Sequence, residues 1–468
     1  MKVVVLGGGP IGLATAMLLA RDGHDVTVLE KDAEGVPATT EEVYERWDRR
    51  GVAQFRQAHY PHARFRQVLQ AELPDVLAEL EASGGRRFNI LNGMSPLVED
   101  RSPREGDDRF ETVTARRPVI EGAIARTAEN EPGVKVLRGV AVDGPVSDRA
   151  VGGIPLVTGV RTSDGQVITA DLVIDATGRR SKFVEWATGL GGVAPFEEIT
   201  ESGFAYYTRH YTSEDGSLPE YKGGFVSTFD SFFILTVPTD NNTWTIAIVA
   251  MAGDHLLKSL RNNDVWERVM RAVPNCAHWI DHTPVCDVLA MAGAMDRYRR
   301  FVVDGRPVIA GMVAVGDSWA CTNPTMGRGL SLGIVQACAL RDALREHADD
   351  PIALAVELDR VTEERLTPWY HQQVARDKRR SLELQALIDG RPVPPNDDPM
   401  APMQTAFFTG AAYDADIARA FLENLSVLAL PHEIMSRPGM LEKVSAYVGE
   451  TPPQPPGPKR SDLAALLN

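Results

Sequence analysis

The stretch "VVVLGGGPIGLATAMLLARDGHDVTVLEKD", Val3 to Asp32, admits few folds. Lys2–Leu6 is a β-branched apolar run suited to a strand buried on both faces. Gly7, Gly9 and Gly12 follow at G-x-G-x-x-G spacing. The first glycine permits a tight turn, the second lets backbone approach a pyrophosphate, and the third lets a helix lie close to the strand. Leu13–Arg21 reads as that helix, ended at Gly23, and Asp25–Leu29 as the next strand. Glu30 closes it, where a carboxylate can accept bonds from both hydroxyls of an adenosine ribose. Phosphates would sit at the helix N-terminus around Pro10, Ile11 and Gly12, where free N–H groups and the dipole favour anions. Lys31 stands beside the ribose acid. This is the pattern of a dinucleotide site. A glycine-rich turn in an ordinary α/β unit, or a site for another nucleotide, is the alternative. A signal peptide does not fit, because three glycines and a proline interrupt the apolar run and one basic residue precedes it.

Four hundred and sixty-eight residues leave room for two or three domains. No apolar run approaches the ~20 residues a spanning helix needs, so integral membrane association is not expected. A net charge of −15 argues against a nucleic-acid partner. The densest basic run, "RDKRR" at Arg376–Arg380, reads as a solvated helix face. Cys276, Cys286, Cys321 and Cys338 have no C-x-x-C spacing. They are expected as reduced thiols of a cytoplasmic protein, with neither a disulfide framework nor a metal site.

Further along, helices are expected at Ala63–Leu73 and Asp75–Ser83 around Pro74, and at Pro118–Glu129. Val98–Glu111 is charged and turn-rich, a surface connection. Strands are expected at Val134–Leu137 and Leu172–Asp175, the second after a hairpin on "SDG". From Gly203 to Met251 the composition turns aromatic. "GFAYYTRHY", "GGFVSTFDSFFILTVP" and "TWTIAIVAM" are three strand candidates of a separate antiparallel sheet. Its face either covers a ligand or is plain core. After Asp350 the chain reads as helical and polar. Arg391–Pro402 is a linker, and "TPPQPPGPKR" a loose tail.

Three separated motifs align: the glycine turn with Glu30, "DLVIDATGRRS" at Asp171–Ser181, and "VGDSWACTNPTMGRG" at Val315–Gly329. Together they resemble the FAD-dependent monooxygenases of the para-hydroxybenzoate hydroxylase type. The resemblance is nearest the squalene-epoxidase-like and polyether polyene epoxidase group of actinobacterial flavoproteins, and runs from residue 1 to about 350. It implies that Asp317 bonds the ribityl chain of FAD, and that Pro324–Gly329 forms a tight loop. The helix starting near Arg328 and Leu330 then aims N–H groups at the flavin's pyrimidine edge, which gains negative charge on reduction. Gly327 and Gly329 leave room for the flat ring. Arg117 matches the family arginine that contacts the cofactor, and Val140 stands where family backbone meets adenine. "RRGVAQFRQAHYPHARFRQVL" resembles a segment beside the flavin, which makes Arg56, His59 and His62 the candidates to face cofactor or substrate.

The implied fold is α/β: a Rossmann-like FAD-binding domain (1–75, 105–185 and 285–350), an inserted antiparallel-sheet substrate domain (76–104 and 186–284), and a helical C-terminal region with a Pro-rich tail (351–468). The implied chemistry is the flavin's own. A C4a-hydroperoxide formed from O₂ would transfer one oxygen to a small apolar or aromatic molecule, a secondary metabolite, by epoxidation or hydroxylation. NADH or NADPH would be the ultimate reductant. Where the aromatic hydroxylases carry Asp-Gly in the middle motif, this chain has Thr177-Gly178. That puts direct reduction by a nicotinamide in doubt and admits a separate flavin reductase as partner. Rival readings on the same scaffold are a halogenase, an isoprenoid double-bond reductase and a flavin-binding protein without turnover. Halogenases carry a W-x-W-x-I-P segment, and Trp244 and Trp266 have no such context.

Overall fold

Five parallel strands form the first sheet of the computed structural model, which describes residues 1–201 and 203–467. Their order is Met312–Ala314, Leu172–Asp175, Lys2–Leu6, Asp25–Glu30, Val134–Arg138. The N-terminal strand is therefore central. Val3 and Val5 face a core shared with helices Pro10–Arg21, Arg117–Glu129 and Gly329–His347. Val4 and Leu6 face the opposite layer, which contains Phe183, Tyr298 and Trp369. Burial on both faces is what the unbroken β-branched run demanded. The first helix begins at Pro10, earlier than Leu13, because proline's fixed φ suits a first helical position.

The second sheet is antiparallel. Its strands run Val226–Thr228, Phe232–Pro238, Thr243–Met251, Phe204–Thr212, with Thr283–Pro284 and Leu289–Ala292 both pairing with the last. "GGFVSTFDSFFILTVP" is thus two strands, not one. The chain reverses at Asp230-Ser231, where the Phe229 N–H donates to Phe232 O at 2.9 Å. Alternation along Thr243–Met251 separates two environments. Trp244, Ile246 and Ile248 pack on helix Asn263–Arg271 and on Trp279. Ala247, Val249 and Met251 face the other way, toward Leu384 of helix Thr367–Ile388.

Packing moves two of the boundaries expected from sequence. Val76, Leu77 and Leu80 of helix Pro74–Ala82 belong to the core of the parallel sheet, so a boundary at residue 76 cuts through that helix. Strand Leu289–Ala292 hydrogen-bonds the antiparallel sheet although it lies past residue 284. Val98–Glu111 is the expected surface connection, largely exposed and leading from strand Arg86–Asn89 to strand Glu111–Thr114, but it is anchored by buried Val98 and Phe110 and by Asp107, which pairs with Arg419 of helix Ala415–Leu425 at 2.7 Å. The Pro-rich run is not loose. Gly457 lies against the Phe229 ring, and the helix Arg460–Leu467 inserts Leu463 and Leu467 into the core behind the second sheet. Arg460 pairs with buried Asp254 at 2.5 Å.

Candidate active site

Gly7 adopts φ +103°, and a Cβ there would lie 2.6 Å from the Ala176 carbonyl oxygen. A Cβ on Gly12 would lie 2.2 Å from Gly7 O and 3.1 Å from the Ala176 methyl. These two glycines weld strand, turn and helix together. Gly9 differs: a Cβ on it would meet nothing within 4 Å, and it lines a cavity. Helix Pro10–Arg21 has no side-chain cap, so the N–H groups of Ile11 and Gly12 remain free at that cavity.

Glu30 is held by the protein before any ligand arrives. Its Oε2 accepts from Gly8 N at 2.7 Å and from Arg49 Nη2 at 2.8 Å, and its Oε1 accepts from Asp32 N at 2.9 Å. A carboxylate has about four lone-pair sites, so one acceptor position remains on Oε1 for a ribose hydroxyl. Arg49 also reaches Asp32 at 3.3 Å and Glu121 at 3.2 Å. Glu121 in turn holds Arg117 at 2.6 Å. Arg117 lines the cavity, as do Lys31 and Val140. The Val140 N–H is spent on Glu30 O at 2.9 Å, which leaves its carbonyl for a ligand.

The middle motif is organised by a residue the sequence did not flag. Asp175 is fully buried. Its Oδ1 accepts from Thr177 N at 2.9 Å, Thr177 Oγ1 at 2.6 Å and Ser318 Oγ at 3.1 Å, and its Oδ2 accepts from Ser181 Oγ at 2.5 Å. The Thr177 hydroxyl therefore points back into the turn. Gly178 donates to Ser318 Oγ at 2.8 Å, which ties this turn to the third motif.

Asp317 lines the cavity, and its carboxylate accepts no hydrogen bond from any described residue. Burial raises its pKa against the pull of Arg179 and Arg117. Beyond it, Pro324–Met326 is one turn of 3₁₀ helix and Gly327 turns left-handed at φ +65°. The helix Gly329–His347 then starts without a side-chain cap, leaving the N–H groups of Gly329 and Leu330 free. Two buried side chains pin the loop. His62 Nε2 bonds Met326 O at 2.6 Å. Asp377 accepts from Thr325 Oγ1 at 2.8 Å and from Asn323 Nδ2 at 3.3 Å.

The three candidates from the segment beside the flavin separate. His59 lines the cavity, with Arg117 Nη1 3.3 Å from its Nε2. Because a guanidinium only donates, that nitrogen is the acceptor and Nδ1 carries the proton. Burial holds its pKa well below the usual histidine value, with the nearby Arg117 charge adding to the effect. His62 lines the cavity too but is committed to the Met326 carbonyl. Arg56 faces neither cofactor nor substrate space. It donates to Tyr44 O at 3.1 Å and to Trp47 O at 2.8 Å, clamping its own loop.

One cavity of about 2620 Å³ connects all of this. It runs from the glycine turn past Asp317 and the Pro324–Gly329 loop to an aromatic wall of Phe204, Phe225, Phe229 and Phe233. A single small-molecule site occupies ~300–1,000 Å³, so there is room for a dinucleotide and a second ligand. The residues fit an FAD-like group: an unpartnered Asp317 carboxylate, open space over Gly9, and two uncapped helix ends. Arg49, Asp175 and Asp377 are the supporting residues missed by sequence reasoning. "RDKRR" is a correction in part. Arg376 and Lys378 are exposed as expected, but the run also lines the cavity, and Arg379 and Arg380 are half-buried.

Comparison with known proteins agrees with this geometry. The profile of the FAD binding domain family matches residues 1–367. Protein Rv3254 of Mycobacterium tuberculosis is 24% identical over 449 residues, covering 93% of this chain and 91% of its own. The fold is similar to that of PqsL, described as a probable FAD-dependent monooxygenase from Pseudomonas aeruginosa, with a TM-score of 0.60 and 19% identity over 83% of this chain and 97% of that one. It is also similar to that of the flavin-dependent brominase Bmp2, with a TM-score of 0.60 and 16% identity over 95% and 98%.

Proposed function

The chain belongs to the FAD binding domain family, and on that premise we propose that it is an FAD-dependent monooxygenase acting on a small apolar or aromatic molecule. The observation that carries this reading is the continuity of the cavity. The Pro324–Gly329 loop opens directly onto the apolar face of the antiparallel sheet. Bound FAD would supply electron transfer and oxygen activation.

The chain's own residues bind, orient and dry the site. Gly7, Gly9 and Gly12 with the N-terminus of helix Pro10–Arg21 would hold the pyrophosphate, and Glu30, set by Arg49, the ribose. Asp317 would accept from the ribityl hydroxyls. The free N–H groups of Gly329 and Leu330 would face the ring edge where negative charge gathers on reduction. His62 and Asp377 keep that loop in place from two sides. Phe204, Phe225 and Phe233 exclude water from the space where oxygen transfer occurs. No described side chain here is a nucleophile activated by a base, and oxygen transfer to an alkene needs none.

Epoxidation as against hydroxylation, and a role in secondary metabolism, rest on the resemblance to the epoxidase group. The halogenase reading is weaker, because Trp244 and Trp266 lie fully buried behind the sheet, away from the cavity. Thr177 favours delivery of electrons by a separate flavin reductase, with NADH or NADPH as the ultimate donor. Soluble, FAD-loaded protein, reduced and mixed with isotopically labelled dioxygen and a panel of apolar alkenes and phenols, should yield a product carrying one labelled oxygen. Release of all the oxygen as peroxide with every compound, or halide-dependent product only, would overturn the reading.

A further inference from the structure

Residues 449–456 line the cavity, as does the turn at Phe229-Asp230, so the Pro-rich run is part of the enclosure around the aromatic wall. It is fastened at its two ends. Upstream, Tyr447 stacks on Tyr413 with ring centroids 6.2 Å apart, and its ring packs against Gly410. Downstream, Gly457 lies against the Phe229 ring, Arg460 N donates to Asp230 Oδ2 at 2.9 Å, and the Arg460 guanidinium donates to Asp254 at 2.5 and 3.1 Å. Between these ends, among the described residues, nothing in 451–458 makes a hydrogen bond or an ion pair. Five of those eight positions are proline, which has no N–H to bond and holds φ near one value. The run is therefore a stiff arm. Gly449 precedes it at φ +89°, with nothing within 4 Å of where a Cβ would stand. A left-handed glycine in open space is a natural pivot for such an arm.

The downstream end is held by few contacts. Helix Arg460–Leu467 buries Leu463 and Leu467 behind the antiparallel sheet, and one ion pair secures its first residue. Asp254 is buried, and among the described residues Arg460 is its one cation. The neighbouring walls are held more firmly. Phe232–Pro238 and Thr243–Met251 are paired strands, and Arg380 of helix Thr367–Ile388 donates to Phe229 O at 2.7 Å. An element with few buried contacts opens at lower free energy than the structure it covers. We propose that residues 449–467 are a lid over the part of the cavity walled by Phe225, Phe229 and Phe233, latched by Arg460 on Asp254. Apolar ligands enter and leave when the lid swings out about Gly449. Closed, the lid keeps water from the site. Phe229 both lines the cavity and packs on Gly457, so a ligand seated against that ring steadies the latch. The lid rests on the proposed function only for the identity of what passes beneath it.

Two measurements on the whole FAD-loaded chain test this. Hydrogen exchange read by mass spectrometry should find the amides of 459–467 exchanging at least about tenfold faster than those of Phe204–Thr212 and Thr243–Met251, and slowing when the neutral dye Nile red is bound. In stopped-flow mixing, Asp254→Asn should take up and release Nile red about tenfold faster than the native protein, since losing one partner of a charge pair acts mainly on rates of release. Its affinity for the dye should change little, and its FAD content not at all. Arg460→Gln should behave alike, and the double variant should add nothing further, as expected of two residues acting through one contact. Lid amides as slow as those of the sheet would overturn the proposal. So would dye rates unaltered in the folded variants, failure of the dye to bind, or faster dye exchange accompanied by FAD loss and weaker protection of the sheet, which would mean a loosened fold. If the latch governs dye exchange but no labelled oxygen is ever transferred, the lid stands and the oxygenase reading falls.

Discussion

His62 Nε2 lies 2.6 Å from the carbonyl oxygen of Met326, and a carbonyl only accepts, so this nitrogen carries the proton of a neutral imidazole. Burial drives the His62 pKa down to about 4, the bond to Met326 partly offsetting it. The unfolded histidine titrates near 6.5, so its neutral form favours the folded state above that pH. This contribution is lost as pH falls through the folded value, about 3 kcal/mol in all. Flavin release and unfolding should therefore set in as pH falls from ~6.5 toward ~4. His62→Gln, whose amide can still donate to Met326, should flatten that limb. Urea titrations of both proteins across this range, with flavin fluorescence as a second readout, check it. An unchanged acid limb would remove His62 from the account.

Gly12→Val should yield folded protein without flavin, or no folded protein. Its Cβ would stand 2.2 Å from Gly7 O, so helix and turn must separate where the pyrophosphate is to lie. The absorbance of the purified variant decides the matter, and full occupancy would show that the turn serves only the fold.

Asp317→Ala should weaken FAD binding by about tenfold to a hundredfold, the worth of a hydrogen bond to a charged acceptor. The fold should be spared, because no described residue depends on this carboxylate for a hydrogen bond. Equilibrium dialysis against FAD gives the ratio. Equal affinity would mean that the ribityl chain lies elsewhere.

Arg49→Ala should cost about 3–5 kcal/mol of stability, since it strands Glu30, Asp32 and Glu121 around the space of one cation. Denaturant unfolding of the apoprotein measures this apart from cofactor loss. A variant as stable as the parent would show that these acids find other partners.

Flavin reduction by NADH or NADPH alone should run well below the typical turnover of about 10 per second. The Thr177 hydroxyl is turned into the Asp175 network, and no carboxylate replaces the aspartate of the resembling hydroxylases. Anaerobic stopped-flow mixing, with and without a flavin reductase, tests this. Fast bleaching by a nicotinamide alone would make the enzyme self-sufficient.

What could be read in the sequence shares one property: the backbone conformation itself demanded particular residues. Gly7 needs a positive φ, Gly12 has no room for a Cβ, and a β-branched run suits a strand buried on both sides, so strand, turn and helix were legible with their boundaries nearly in place. Supporting side chains leave no such imprint. Arg49 is one of two adjacent arginines, and only folding shows which one meets Glu30. Asp377 sits inside a basic run that looks solvated because its period says nothing about what the helix packs against. The Arg460–Leu467 helix was hidden behind prolines, and its apolar positions become meaningful only beside Trp266 and Val269.

The strand order of the parallel sheet also sets a timetable. During synthesis Lys2–Leu6 emerges before the other strands of its sheet yet sits in the centre, and its neighbours come from residues 25–30 and 172–175. The edge strand Met312–Ala314, which leads straight into Asp317 and the loop, arrives some three hundred residues later. The ribosome thus delivers the two ends of one cofactor site at opposite ends of a long interval. Contacts so distant in sequence form slowly, and the early strand stays unpaired on one edge meanwhile. Cofactor present during translation would gain little from the glycine turn alone and act chiefly once the late strand has docked.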